Sequence, residues 1–171
     1  LWGLPAGFDA PPFSSFYGAL AHPVLMLFLG GFFLANGAAR FRLDRSLAGV
    51  VLRPFGDSPK MILLGVMAVA AGFSMFMSNT ATTAMMMTVV LPLVTQLSRE
   101  DPLRIAIILA IPLGANIGGI ATPIGTPPNA IALSAMTEQG IQISFVKWIV
   151  LAMPIVAVTM FIAWLMLLKL Y

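Results

Sequence analysis

Two stretches of this 171-residue chain set polar groups inside otherwise apolar sequence. One is Ser78-Asn79-Thr80, preceded by Ser74; the other is Gly118-Gly119-Ile120-Ala121-Thr122-Pro123-Ile124-Gly125-Thr126-Pro127-Pro128-Asn129. Neither holds an ionisable side chain, so acid–base or nucleophilic catalysis has no carrier there. What they offer is oxygen atoms, amides and helix ends. A helix that stops at the first stretch presents its last carbonyls, including those of Ser74 and Met77, as partial negative charge suited to a small cation. A helix that starts near Asn79 presents the N–H groups of Thr80 to Thr82 to an anion. The second stretch is expected to repeat the arrangement, with one helix running from Arg104 to near Gly119 and another starting near Asn129. Set side by side, the two breaks would hold a hard monovalent cation next to a carboxylate or sulfate, each neutralising the other.

The elements that must position these groups follow from composition. Hydrophobic residues make up 60% of the chain and charged residues 9%, against about 25% in an ordinary soluble domain. That excludes a soluble globular fold, and a chain this apolar is not disordered. Residues 10–39, 61–98, 105–137 and 148–168 contain no Asp, Glu, Lys or Arg. A helix needs about 20 apolar residues to cross a bilayer core, and barrel strands would be shorter and would alternate. The expected fold class is therefore an all-α polytopic membrane protein. With no cysteine there is no disulfide or thiolate site. The basic residues lie outside the apolar runs, which argues for membrane topology and not for nucleic acid. The glycine-rich stretch lacks the Lys of a phosphate-binding loop, and no metal-ligand cluster or nucleophile–base pair occurs in the neutral runs, so an enzyme is not expected.

Charge sets the expected topology. Arg40, Arg42, Arg45, Arg53 and Lys60 cluster in one connection, Arg99 and Arg104 lie in the next, and Lys169 sits at the far end. The positive-inside rule makes all three cytoplasmic and leaves Lys147 with the external link at 138–144. Residues 20–39 then form a transmembrane span, 40–57 a cytoplasmic amphipathic surface helix, and 145–169 another span. Residues 40–57 are also compatible with an ordinary basic loop. Residues 61–97 return to the side they left, and arms of about 17 residues, ~26 Å as helix, favour a re-entrant hairpin with its tip at 78–80. Residues 104–137 form a broken transmembrane helix, interrupted at 118–129 by prolines and glycines. Broken helices at membrane depth are tolerated where they line a protein cavity, and paired breaks point to a transporter binding site. The chain opens at Leu1 with no basic n-region and is read as one membrane unit, 1–171, excerpted from a longer protein.

The run Ser74-Met75-Phe76-Met77-Ser78-Asn79-Thr80-Ala81-Thr82-Thr83-Ala84-Met85-Met86, followed by the Gly118 to Asn129 stretch, resembles the first Ser-Asn-Thr hairpin and broken helix of the divalent anion:sodium symporter family. The resemblance covers roughly residues 20–171 and only the first of the family's two inverted repeats. It implies that Ser78, Asn79 and Thr80 touch one substrate carboxylate. It also implies a sodium ion held by the Asn79 side chain and the carbonyls of Ser74, Ser78 and Gly125, with Thr126, Pro127, Pro128 and Asn129 as the supporting loop. The partners it implies are a small divalent anion, the lipid bilayer of the plasma membrane, the second repeat of the parent chain and a second copy in a homodimer; nucleic acid is not among them. The hairpin, broken helix and last span would move against a scaffold that includes the first span.

Simpler roles are open for several of these residues. Ser78-Asn79-Thr80 alone also fits a helix N-cap. Thr82, Thr83 and Thr88 read as packing or back-bonding residues, Gly114 and Gly118 as a close-packing pair, and Met75, Met77, Met85, Met86 and Met87 as adaptable filler. His22 reads as interfacial. Two other functions fit the pattern less well: another broken-helix ion transporter of the arsenite permease or sodium/proton antiporter type, which should carry an ionisable residue in the membrane core, and a non-transporting assembly subunit, which needs no buried polar tip.

Overall fold

A computed structural model describes residues 58–171, together with positions 17, 26, 29, 30, 33, 36, 37, 40 and 41. Described positions from Tyr17 to Arg40 are helical, and Phe41 N–H closes a turn onto the Gly37 carbonyl at 3.1 Å. Most of the expected span at 20–39, His22, and the expected surface helix at 40–57 beyond Arg40 and Phe41 lie outside the described residues.

The described residues contain no strand. In order they form α1 (Pro59–Ser74), α2 (Asn79–Val94), α3 (Pro102–Gly118), a 3₁₀ turn (Gly119–Ala121), α4 (Pro127–Glu138) and α5 (Phe145–Leu170). Local chemistry explains most of the boundaries. Pro59, Pro102 and Pro127 sit in first turns, where a missing N–H costs nothing. Asp101 caps α3 by accepting from Leu103 N–H at 2.9 Å, and the Ser144 hydroxyl caps α5 by accepting from Lys147 N–H at 3.2 Å. Gly140 ends the α4 region at φ +80°, a conformation that side chains disfavour, with its N–H on the Thr137 carbonyl at 3.0 Å.

Two of these segments, among the described residues, are long and apolar enough to cross a membrane: Pro102–Ala121 and Phe145–Leu170. Helices α1 and α2 have 16 residues each, ~24 Å at ~1.5 Å per residue, less than the ~30 Å of a bilayer core.

The core sits where α1 crosses α3. On α3 the small residues Ala106, Ala110, Gly114 and Gly118 recur every fourth position, and all are buried. That stripe lets the two backbones touch. A Cβ on Gly114 would lie 2.5 Å from the Met67 carbonyl oxygen, and one on Gly118 would overlap the Ala71 backbone. Ile107 and Ile111 flank the stripe and pack with Leu63, Val66, Met67 and Ala70 of α1. Met85, Met86, Val90 and Val94 add one face of α2, and Ala163 and Leu167 add α5. Met85 and Met86 thus act as apolar filler, as expected. Between apolar helices in lipid the driving force is close van der Waals packing, which small residues make available. Trp164 ties α5 to the start of α1 by donating from Nε1 to the Lys60 carbonyl at 3.0 Å.

The two kinds of glycine should respond oppositely to a methyl group. Gly118→Ala must push α3 off Ala71 and is expected to cost ~1–3 kcal/mol. Gly72→Ala, whose Cβ meets nothing within 4 Å among the described residues, is expected to be neutral or to stabilise α1 by ~0.5–1 kcal/mol. Thermal unfolding midpoints in detergent check both.

Candidate functional site

Helix α1 stops at Ser74, three residues before the expected end at residue 77, because the next residues tighten into a turn. Met75 N–H bonds the Ala71 carbonyl at 3.1 Å, and both Phe76 and Met77 N–H groups fall on the Phe73 carbonyl at 3.0 Å. Ser78 is extended (φ −63°, ψ 145°) and starts α2. Its hydroxyl accepts from Ala81 N–H at 3.2 Å, and its carbonyl accepts from Thr82 N–H at 2.9 Å. Ser78 is therefore a helix cap. The N–H groups of Ala81 and Thr82, expected to face an anion, are used on Ser78, so the helix end faces outward through Asn79 and Thr80.

Asn79 occupies the first position of α2 and reaches in two directions. Its Oδ1 accepts from the buried Ser74 hydroxyl at 2.7 Å. Its Nδ2 donates to Asn116 Oδ1 on α3 at 2.9 Å. Beside it opens a cavity of about 370 Å³ lined by Asn79, Thr80, Thr83, Ala84 and Asn116. Thr83 and Thr88 back-bond, to the Asn79 and Met85 carbonyls, each at 2.7 Å. Thr82 is fully buried and does not back-bond; its hydroxyl has no partner among the described residues.

The second break is shorter than expected. Helix α3 tightens into the 3₁₀ turn, Thr122 is extended (φ −128°, ψ 155°), and α4 restarts at Pro127 with Thr126 extended before it. The restart falls two residues ahead of Asn129, because consecutive prolines are tolerated only in a first turn. The electrostatic parallel with the first break consequently fails at this end. Pro127 and Pro128 carry no N–H, and Asn129 N–H bonds the Thr126 carbonyl at 3.2 Å, so α4 offers an anion little. The Asn129 side chain works inside the break: Nδ2 donates to the Gly119 and Thr122 carbonyls, each at 2.8 Å.

The two breaks touch. A Cβ on Gly119 would lie 2.6 Å from Asn79 Oδ1 and 2.7 Å from Thr126 Cγ2, and one on Gly125 would overlap the Gly119 carbonyl. The fully buried Thr122 donates from its hydroxyl to the Met75 carbonyl in the α1–α2 turn. Trp148 of α5 donates from Nε1 to the Ile120 carbonyl at 3.1 Å. Ser74, Asn79, Gly125 and Thr126 are thus drawn into one cluster around Gly119, with Ser78 beside Asn79. Thr80 lines the neighbouring cavity, while Pro127 and Pro128 are exposed and Asn129 braces the loop. A hard, singly charged cation suits such neutral oxygens. No group of three or more His, Cys, Asp or Glu gathers anywhere among the described residues.

Sequence reasoning missed Asn116, Thr122 as a bridge between breaks, and Trp148. A signal existed for Asn116, the one amide side chain in α3 and its only polar side chain after Arg104. None existed for Trp148, which reads as an interfacial aromatic.

An all-helical structure with membrane-length helices and two contacting helix breaks is consistent with a membrane transporter. A profile of the citrate transporter family matches residues 6–171. The chain is also similar to the sodium-dependent dicarboxylate transporter SdcS of Staphylococcus aureus strains USA300, NCTC 8325 / PS 47 and COL. Identity is 36% over 175 residues in each case, covering 95% of this chain and 33% of each relative. The chain belongs to the citrate transporter family, a family of integral plasma-membrane transporters and not of enzymes. It spans about a third of the length of the curated relatives it matches.

The bridges that hold the breaks together can be measured one at a time. Thr122→Val leaves the Met75 carbonyl unpaired at a buried position and is expected to cost ~1–3 kcal/mol, whereas Trp148→Phe removes a more exposed bond to the Ile120 carbonyl and is expected to cost ~0.5–1.5 kcal/mol, each read as a lower unfolding midpoint in detergent.

Proposed function

We propose that the parent protein transports a divalent anion, a di- or tricarboxylate or sulfate, in company with sodium, and that this chain supplies half of the binding site. The observation that carries the reading is the contact of the Asn79 amide oxygen with Gly119, which sets the end of one helix pair against the other with no ionisable group between them. The similarity to the SdcS proteins, sodium-dependent dicarboxylate transporters, supports both the co-substrate and the anion class.

Sodium would be held by the Asn79 side-chain oxygen with the carbonyls of Ser74, Ser78 and Gly125. Ser74 is the last residue of α1, where carbonyls lose their helical partners and carry the negative end of the dipole. The anion would meet Ser78, Asn79 and Thr80 at the positive end of α2. A sodium ion and a carboxylate a few ångströms apart in a low-dielectric site each lower the cost of burying the other. That favours their joint binding and is the physical root of coupling. The loop Thr126-Pro127-Pro128-Asn129 would hold the ion site's shape from behind.

In this reading α1 and α2 form a re-entrant hairpin, α3 and α4 a broken transmembrane helix, and α5 a full span. Residues 40–60 and 99–104 face the cytoplasm and 138–144 the outside. The second inverted repeat, elsewhere in the parent chain, completes the site, and the parent works as a homodimer.

The test is uptake of labelled succinate, citrate and sulfate into proteoliposomes holding the full-length parent, under an inward sodium gradient with potassium as control. Sodium-dependent uptake of at least one anion is expected, and Asn79→Ala should lower it at least about tenfold, the equivalent of one charge-assisted hydrogen bond. Ser74→Ala should raise the sodium concentration for half-maximal uptake several-fold, because Asn79 Oδ1 loses the hydroxyl that orients it. Uptake that ignores sodium and survives Asn79→Ala would sink the cation site.

A further inference from the structure

We propose that Asn116 is a specificity-determining residue that donates a hydrogen bond to the transported anion and carries part of the coupling between anion and cation. The proposal rests on the transport reading above and extends it to a residue of α3 outside both sequence motifs.

Position comes first. Residue 116 lies two positions, about 200° of helical rotation, from both Gly114 and Gly118. Those glycines abut α1, so Asn116 projects from the opposite side of α3, toward α2, where it meets Asn79. Asn116 is exposed among the described residues although it belongs to the apolar segment Pro102–Ala121. An amide in such a segment is costly unless it has a polar partner or lines a cavity, and Asn116 has both, the Asn79 amide and the cavity beside it.

Hydrogen-bond accounting then selects it. A carboxylate or sulfate only accepts, so its site must supply donors. Of the five lining residues, Ala84 has no polar side chain and Thr83 gives its proton to the Asn79 carbonyl. Beyond the first-turn backbone N–H groups of α2, that leaves as side-chain donors Thr80, the second amide hydrogen of Asn79, and Asn116. The Oδ1 of Asn116 is engaged by Asn79, so what Asn116 can present to a ligand is its Nδ2, with two hydrogens.

The same contact joins the two ligands. The Ser74 hydroxyl donates to Asn79 Oδ1 and Asn79 Nδ2 donates to Asn116 Oδ1, so the three side chains form one chain. A cation on Asn79 Oδ1 polarises that amide, strengthening Nδ2–H as a donor to Asn116 Oδ1, which in turn makes Asn116 Nδ2–H a stronger donor. The anion therefore binds more tightly when the cation is present, and by linkage the cation gains equally.

The experiment uses the full-length parent in proteoliposomes, with KM for labelled succinate and sulfate measured at low and high sodium. In the unsubstituted protein the KM should fall as sodium rises. Asn116→Leu, nearly isosteric but without donors, should raise the succinate KM at least about tenfold and shrink its sodium dependence. Asn116→Gln keeps the amide but extends it one methylene into the cavity. It should keep the sodium dependence and raise the KM for succinate more than for the smaller sulfate. A residue with only a packing role would lower maximal uptake of both anions alike; an unchanged ratio of the two KM values in the Gln variant, or an unchanged sodium dependence of the succinate KM in the Leu variant, overturns the proposal. Should the Leu variant fail to fold, Asn116→Ala, which also removes the donors, takes its place. Absence of sodium-dependent uptake in the unsubstituted protein would instead overturn the transport reading, and is read from the same assay.

Discussion

A helix broken inside apolar surroundings leaves backbone carbonyls and N–H groups that water cannot reach, and the rest of this structure is arranged around that debt. Each break is closed by side chains brought from a distance. Asn129 reaches back to the Gly119 and Thr122 carbonyls, Thr122 crosses to the Met75 carbonyl in the other break, and Trp148 covers the Ile120 carbonyl from α5. The first break caps itself through the hydroxyl and carbonyl of Ser78. Because the bridge from Thr122 to Met75 satisfies one break with a donor from the other, the two are held as a unit.

Close approach makes those reaches short enough. The stripe Ala106, Ala110, Gly114, Gly118 brings the α3 backbone onto α1, and Gly119 continues it against Asn79. With side chains at these positions, α3 would stand off and the hydrogen bonds between breaks would open. The glycines matter for what they lack; their backbone angles are ordinary helical values, and only Gly140 among the described glycines uses a left-handed turn.

The absence of ionisable side chains from this cluster has its own consequence. In the proposed site, recognition would come from dipoles: carbonyl ends, amides and hydroxyls, whose polarity does not change with pH. Such groups cost less than charges to keep at membrane depth, and two ligands of opposite charge can supply the neutralisation that fixed charges otherwise would. The prolines sharpen the division of labour. Pro127 and Pro128 remove the N–H groups of α4, so the positive helix end belongs to α2, whereas the second break contributes carbonyls.

The sequence by itself determined the elements. Long neutral runs bounded by basic clusters require apolar helices, and the Pro and Gly residues between Gly118 and Asn129 forbid one of them from continuing; from Pro59 onward, among the described residues, helices lie within two or three residues of those expectations. Ser74 and Asn79 were legible as site candidates because polar groups at a helix end inside a neutral run are rare, whereas Gly125 and Thr126 were reached only through the resemblance to the symporter family. Which of them meet was a matter for tertiary structure alone. Asn79 and Asn116 are 37 positions apart and Thr122 and Met75 are 47 apart, and nothing local links them. Only the packing of α1 and α2 on α3 decides that Asn116 faces Asn79 and that Thr122 reaches Met75, because such long-range partners follow from how helices dock and not from which residues they contain.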